Sequence, residues 1–189
     1  MPRMGLDKDA VIRAASVLAD AEGLEALTLA RLAQQLNVRT PSLYNHVSSL
    51  AALRRELQLA GLRETGRRLT RAAVGLAGRD AMVAVGMAYR EFAGQHPGLY
   101  AASLRAAPAD DTELVEAGNQ IVGLVLAVLS AYGLKGDDAL HATRGLRAII
   151  HGFVSLEAAG AFGLALDLEE SLRRLIVAFS DGLSAKQPA

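Results

Sequence analysis

The sequence predicts an all-α fold, for three reasons. Ala, Leu and Arg dominate and aromatic residues make up only 4% of the chain, a composition that suits helices packed through Leu and Ala rather than sheets. Apolar residues recur three and four positions apart along most of the chain, the spacing of one helix face. Helix start signals (Asp, Thr, Ser) and stop signals (Gly, Asn) alternate often enough for about nine helices.

The elements follow in order. Asp7 caps a first helix with apolar positions Val11, Ile12, Ala15, Leu18 and Ala19, and Gly23 ends it in a left-handed conformation. Thr28 caps a short second helix, LARLAQQL, and Asn37 follows it. Thr40 then caps a third, with Pro41 in the first helical position, running to about His46. Ser48 or Ser49 opens a long fourth helix over about 49–74, with Leu50, Leu53, Leu57 and Leu62 inward. GLAGRD (75–80) is the best domain boundary. Beyond it come AMVAVGMAYREFAGQ, a break at His96-Pro97-Gly98, and the short LYAASLRAA. Asp110-Asp111 introduce a further helix, with Glu113 as capping-box partner of Asp110, ending near Tyr132-Gly133. Gly136-Asp137-Asp138 open the next, through AGAFG. Asp167 caps the last, with Glu170 again three positions on, and it ends near Gly182 ahead of a loose tail, SAKQPA.

Composition narrows the function. With 189 residues, one large domain or a small one fused to a medium one fits, and 51% hydrophobic residues allow a sizeable core. There is no Cys, which excludes disulfides and thiolate metal sites. The opening MPRMGLDKDAV lacks the apolar core of a signal peptide. The longest apolar run, Ile121 to Leu134, is too short to span a membrane and suits a buried helix, so a soluble, cytoplasmic protein is expected. Net charge is zero, but residues 1–72 hold eleven Lys and Arg against seven Asp and Glu, a balance of +4, and the remainder nine against thirteen, or −4. The split suggests a basic N-terminal module with an anionic partner. No Gly-rich phosphate loop is present. Asp137 and His141 could supply two metal ligands, but His151 falls on another side of the helix, and Asp137 reads more simply as a helix N-terminal charge. No enzyme, cofactor or metal site is expected.

Two short helices joined by three residues form a helix-turn-helix. Leu29, Leu32 and Leu36 mark the inner face of the first, Ala33 is small where the helices cross, and Val38 plugs the turn. Leu43 and Val47, four apart, bury one face of the second. Arg39, Thr40, Ser42, Asn45 and His46 are left outward or flanking, all able to hydrogen-bond, and Asn can read an adenine edge in the major groove. N–H groups at Thr28 and Thr40 can hold phosphates. A dimer would set two such helices roughly 34–36 Å apart.

Ala14–Leu53, with GLEALTL, LAQQLNV and above all SLYNHV, resembles the DNA-binding domain of the TetR/AcrR family of bacterial transcriptional regulators. More loosely, HPGLYAASL, ALHATRGLRAIIHGFVSLEAAGAFGL and SLRRLIVAF resemble the branch with a WHG-type C-terminal domain. The resemblance implies a three-helix DNA-binding domain over residues 1–50, connected by helix four to a helical effector-binding and dimerisation domain over 75–189. It implies a sequence-specific regulator, a repressor released from a double-stranded DNA operator by a small-molecule effector. Thr28 would touch a phosphate, Thr40, Pro41, Ser42 and Asn45 would enter the major groove, and Tyr44 and His46 would touch backbone phosphates. Two positions depart from the family pattern: Ser48-Ser49-Leu50 replaces a frequent phosphate-gripping Lys, and Ala30 stands where a base-reading Arg is common. Both predict fewer phosphate contacts and a shallower salt dependence. Arg31 and Arg39 are candidates to compensate. Arg54 and Arg55 either help or are solvated helix surface.

For the effector pocket, the polar and aromatic residues set among apolar ones are candidates: Tyr89, Phe92, Tyr100, Asn119, His141, Arg144, Arg147 and His151. Tyr89 with Phe92, and Arg147 with His151, share helix faces. Each can equally be a satisfied core or interface group. For a homodimer, Gly145, Ala148, Gly152, Ala159 and Gly160 permit close helix approach, and Leu168, Leu172, Leu175, Ile176, Phe179 and Leu183 give the last helix an apolar stripe. The rival reading is a helix-turn-helix protein that binds DNA non-specifically, or a protein partner, without an effector.

Overall fold

The computed structural model describes residues 6–184. Within them the chain forms nine α-helices and two 3₁₀ turns, with no strand: α1 Lys8–Glu22, a 3₁₀ turn Leu24–Ala26, α2 Leu29–Gln35, α3 Thr40–Leu43, α4 Leu50–Ala73, α5 Gly78–Gln95, α6 Pro97–Ser103, α7 Thr112–Leu129, a 3₁₀ turn Ser130–Tyr132, α8 Gly136–Ala158 and α9 Leu168–Ser184. The all-α expectation holds.

The chain falls into two compact units. The first joins residues 1–63 to 95–115, so it takes in α6 and the α6–α7 segment, which lie beyond the sequence boundary at 75–80. The second joins 64–94 to 116–189. In the first unit the core is Val11, Ala15, Leu27, Leu32, Leu43, Leu53 and Leu57, all fully buried. Helix α6 is held against α1 by a single carboxylate. Asp20 accepts N–H bonds from Gly98 (2.9 Å) and Leu99 (3.0 Å) while its second oxygen lies 2.9 Å from His96 Nδ1. Gly98 is required here, because a Cβ would stand 2.1 Å from the Ala19 carbonyl carbon. In the second unit Gly86 lets Ile150 and Ile176 close over α5, and the Tyr132 hydroxyl meets Ser180 at 2.6 Å in a buried bond.

Several boundaries differ from the sequence reading, each for a local reason. Helix α3 begins one residue early and ends three early. Arg39 is extended and its carbonyl accepts from Ser42 N–H (2.8 Å), so Arg39 rather than Thr40 is the cap residue, and Thr40 makes no capping bond. Neither expected capping box closes. Asp111, not Asp110, caps α7 by accepting from Leu114 N–H (3.2 Å), and Glu113 turns to Arg55 and Arg63. Asp167 does cap α9, but Glu170 pairs with Arg173 and Arg174. Helix α9 passes Gly182, which is not in a positive-φ conformation, and reaches Ser184; the rest of the expected tail lies outside the described residues. Gly23 has a positive φ (88°) as expected, but with an extended ψ of 154°.

One exclusion is corrected. Thr112–Tyr132 is long and apolar enough to cross a membrane by length and composition. The apolar run read from the sequence began at Ile121, whereas the helix starts at Thr112 and its two charges, Glu113 and Glu116, sit in its first turns. Only 22% of the stretch is buried, so the expectation of a buried helix is not met; its far end is tied to α9 through Tyr132 and Ser180.

Candidate nucleic-acid interface

The α2–turn–α3 segment is built from local signals. The Thr28 hydroxyl accepts from Arg31 N–H (3.2 Å) and starts α2. The helix ends in a Schellman motif: Asn37 takes a positive φ of 52°, its N–H reaches Gln34 O (3.1 Å), and Val38 N–H reaches Ala33 O (2.9 Å). Asn bears this conformation because its short polar side chain tolerates the left-handed region. Ala33 is buried at the crossing, and Leu43 and Val47 are buried to 0% and 4% exposure. Val47 N–H and His46 N–H both bond Leu43 O (2.9 Å each), which extends α3 as a tight turn through Val47. Ser49 then caps α4 by accepting from Ala52 N–H (3.0 Å).

With Leu43 and Val47 inward, the opposite side is left to polar groups. Thr28, Arg39, Pro41, Tyr44 and Asn45 are exposed, and Thr40, Ser42 and His46 are half-exposed. Tyr44 is 56% exposed, unusually open for a Tyr, and contributes little to the core. Every sequence-named contact residue is thus accessible and lies on one short segment anchored by two apolar side chains, apart from Thr28 at the start of α2. Ala30 and Ser48 are exposed as well, so the two departures from the family pattern fall on open surface.

The charges are distributed differently from expectation. Arg31 is engaged by Glu22. Arg54 donates to Leu24 O and Glu25, both at 3.4 Å. Arg55 makes a bidentate pair with Asp111 (2.7 Å twice) and a further bond to Glu113 (2.9 Å). That pairing raises the Arg55 pKa and holds the carboxyls of Asp111 and Glu113 below their ordinary range. Arg55 is therefore a half-buried structural group, not solvated helix surface, while Arg54 is half-buried on two long contacts only. Arg39 forms no ion pair among the described residues and is the one guanidinium of this segment left to meet an anion. A strip of neutral donors and acceptors with one open Arg is suited to reading base edges and positioning on phosphates. No group of three metal-ligating side chains occurs among the described residues.

The residues named for an effector pocket scatter. Tyr89 (half-buried) and Phe92 (fully buried) are on α5, Asn119 (exposed) on α7, Arg147 (exposed) and His151 (half-buried) on α8, all in the second unit; Tyr100 is buried on α6 in the first. The Arg68 guanidinium stacks over the Phe92 ring, 5.6 Å from its centroid. His141 and Arg144 are exposed on α8. Sequence reasoning missed Asp20, Gln58 and Arg105: their partners lie 47 to 79 residues away, beyond any local pattern.

Comparison with known proteins agrees with this geometry. A family described as "Tetracyclin repressor-like, C-terminal domain" matches residues 82–179. The chain is 40% identical over 183 residues to the HTH-type transcriptional regulator YobS of Bacillus subtilis (strain 168), itself uncharacterized, covering 96% of this chain and 95% of that one. A protein of unknown function from Rhodococcus sp. RHA1 has the same fold, with a TM-score of 0.83 and 24% identity over 96% of this chain and 97% of that one. A point variant of TetR from Acinetobacter baumannii AYE, solved in complex with minocycline, superposes with a TM-score of 0.72 and 23% identity over 98% and 100%. With the helix-turn-helix in place and more than half of the chain matched, this protein belongs to the TetR family of DNA-binding transcriptional regulators, and it is not an enzyme.

Proposed function

We propose that this regulator is a cytoplasmic, sequence-specific repressor that leaves a double-stranded operator when a small-molecule effector binds. The observation that carries the DNA reading is the anchored, exposed strip Arg39 to His46, with Leu43 and Val47 fixing its orientation. In this reading residues 1–50 read DNA, helix four connects, and 75–189 bind the effector and dimerise. Thr40, Pro41, Ser42 and Asn45 enter the major groove, while Thr28, Arg39, Tyr44 and His46 hold the backbone. The low charge favours specific over non-specific binding, because non-specific affinity is almost entirely phosphate contact, and within this segment only Arg39 is open for it.

Dimerisation is supported by exposed small and apolar residues at helical spacing on the last two helices: Ala148, Gly152 and Leu156 on α8, Leu175, Ala178 and Gly182 on α9. Gly145 serves inside the chain instead, where a Cβ would lie 3.2 Å from the Phe179 ring, and Gly160 (φ 65°) ends α8. An isologous pair would bury the stripe and supply two heads. Effector binding in the second unit rests on Tyr89, Phe92, Asn119, Arg147 and His151, on family membership, and on the minocycline held by the A. baumannii relative; Tyr100, in the first unit, falls outside it. An effector acts by preferring one of two spacings of the heads.

Fluorescence anisotropy with the duplex upstream of the gene, against a random duplex of equal length, tests the reading over a salt series. The upstream duplex should bind at least about a thousandfold tighter, with a shallow salt slope. Equal affinities for both duplexes would refute the operator.

A further inference from the structure

Within the first unit lies a cleft of about 880 Å³, between the first 3₁₀ turn, the first half of α4, α6 and the α6–α7 segment. It contains none of the residues proposed above for the effector or for DNA. Leu24, Leu50, Pro108 and Leu114 give it apolar walls, and its volume is in the range of small-molecule sites. Three arginines, Arg54, Arg55 and Arg105, and two carboxylates, Glu25 and Asp111, line it. Arg55 is matched by Asp111, Glu113 and Glu56. Arg54 and Arg105 are left as the less well matched cations of the cleft.

Arg54 is poorly served. Its Nε is buried with no hydrogen-bond partner, and its two bonds to Leu24 O and Glu25 are both long, at 3.4 Å. A buried unsatisfied donor, above all a charged one, carries a free-energy cost that native structures rarely leave standing. Glu25, its carboxylate partner, is 91% exposed and is held by that one long contact. Arg105 is exposed, lines the same cleft and forms no ion pair among the described residues. Its carbonyl is fixed by the buried Gln58 amide at 3.0 Å, which sets the position of the segment.

We propose that this cleft is a second ligand site, for an organic monoanion with an apolar body, a carboxylate of medium chain length. The carboxylate meets the guanidinium groups of Arg54 and Arg105, whose planar forks match its two oxygens, and the chain lies on Leu24, Leu50, Pro108 and Leu114. The site adjoins the helix-turn-helix: Leu24 and Glu25 sit in the turn between α1 and α2, and Leu50 and Arg54 in the first turns after the recognition segment. A ligand here bears on the DNA-reading head directly, and by linkage any change it makes in operator affinity is returned in its own affinity.

Octanoate is the probe, titrated calorimetrically into the full chain, with octanol and acetate lacking the charge or the body. Octanoate should bind at one site per chain and at least about tenfold tighter than either control. Arg105→Gln, at an exposed position that leaves the fold intact, and Arg54→Gln should each weaken it more than about fivefold. Arg147→Gln, in the second unit, should not. Hydrogen exchange should slow at residues 24–27 and 101–108. No binding, a loss of less than about fivefold in either cleft variant, or protection confined to the second unit would overturn the site. Protection or lost affinity confined to the second unit would instead speak for the effector pocket proposed there, so the failure of either site is told apart from the other. None of these results bears on the operator.

Discussion

On the proposed reading Arg39 is the one guanidinium of the α2–α3 segment with no ion pair among the described residues, since Arg31 is engaged by Glu22. Arg39→Gln should weaken binding to all duplexes alike and reduce the salt slope by about one phosphate per head, read from affinities across a salt series. A position such as Gly98 answers to packing instead. The Cβ of Gly98→Ala would meet the Ala19 carbonyl carbon and oxygen at 2.1 and 2.2 Å, and backbone atoms cannot step aside as a side chain can. Urea unfolding should show a loss of about 3 kcal/mol or more. Nothing in the residues around Gly98 announces this. The contact is made with a helix nearly eighty positions earlier, and only the structure shows it.

At the level of elements, most helix starts and stops were legible because they are written locally. Asp7, Thr28, Ser49 and Asp167 cap the helices they precede, and Asn37 and Gly133 take the positive φ their chemistry favours. What misled was pairing with arginines. Glu113 and Glu170 have the spacing of capping boxes, but each carboxylate is taken by two guanidinium groups, whose full charge and several donors compete with a single backbone N–H. The Arg55 clamp onto Asp111 and Glu113 gives a pH signature. Both carboxyls have folded pKa values depressed from ordinary values of 3.8 and 4.5. Stability from such a group is present above the unfolded pKa and lost as pH falls through the folded one. Thermal stability should therefore be level from neutrality to about pH 5 and fall below about pH 4. Arg55→Gln should flatten that fall, because both carboxyls return toward their unfolded values.

For the whole molecule, the buried and accessible sides of the recognition segment were legible because apolar anchors and polar side chains are interleaved over residues 39–47. The cleft beside it was not, because four separate stretches of chain build it. The partition was obscured for the same reason: α6 returns to the N-terminal helices through Asp20, a bond no boundary signal records. The proposed dimer rests on surface left exposed on α8 and α9. If the proposed dimer forms there, Leu175→Glu, at a 41% exposed position on α9, should sediment as a monomer of unchanged helical content where wild type sediments as a dimer. It should also cost operator affinity, since a single head loses its partner's half-site. The central claim, that residues 39–46 read a defined DNA sequence, meets its most direct test in selection from a random duplex pool with wild type, Tyr44→Phe and Asn45→Ala. Tyr44→Phe should keep the selected sequence and lose about tenfold in affinity, and Asn45→Ala should change the base chosen within each half-site. Wild-type affinity and an unchanged selected sequence in both variants would contradict the account.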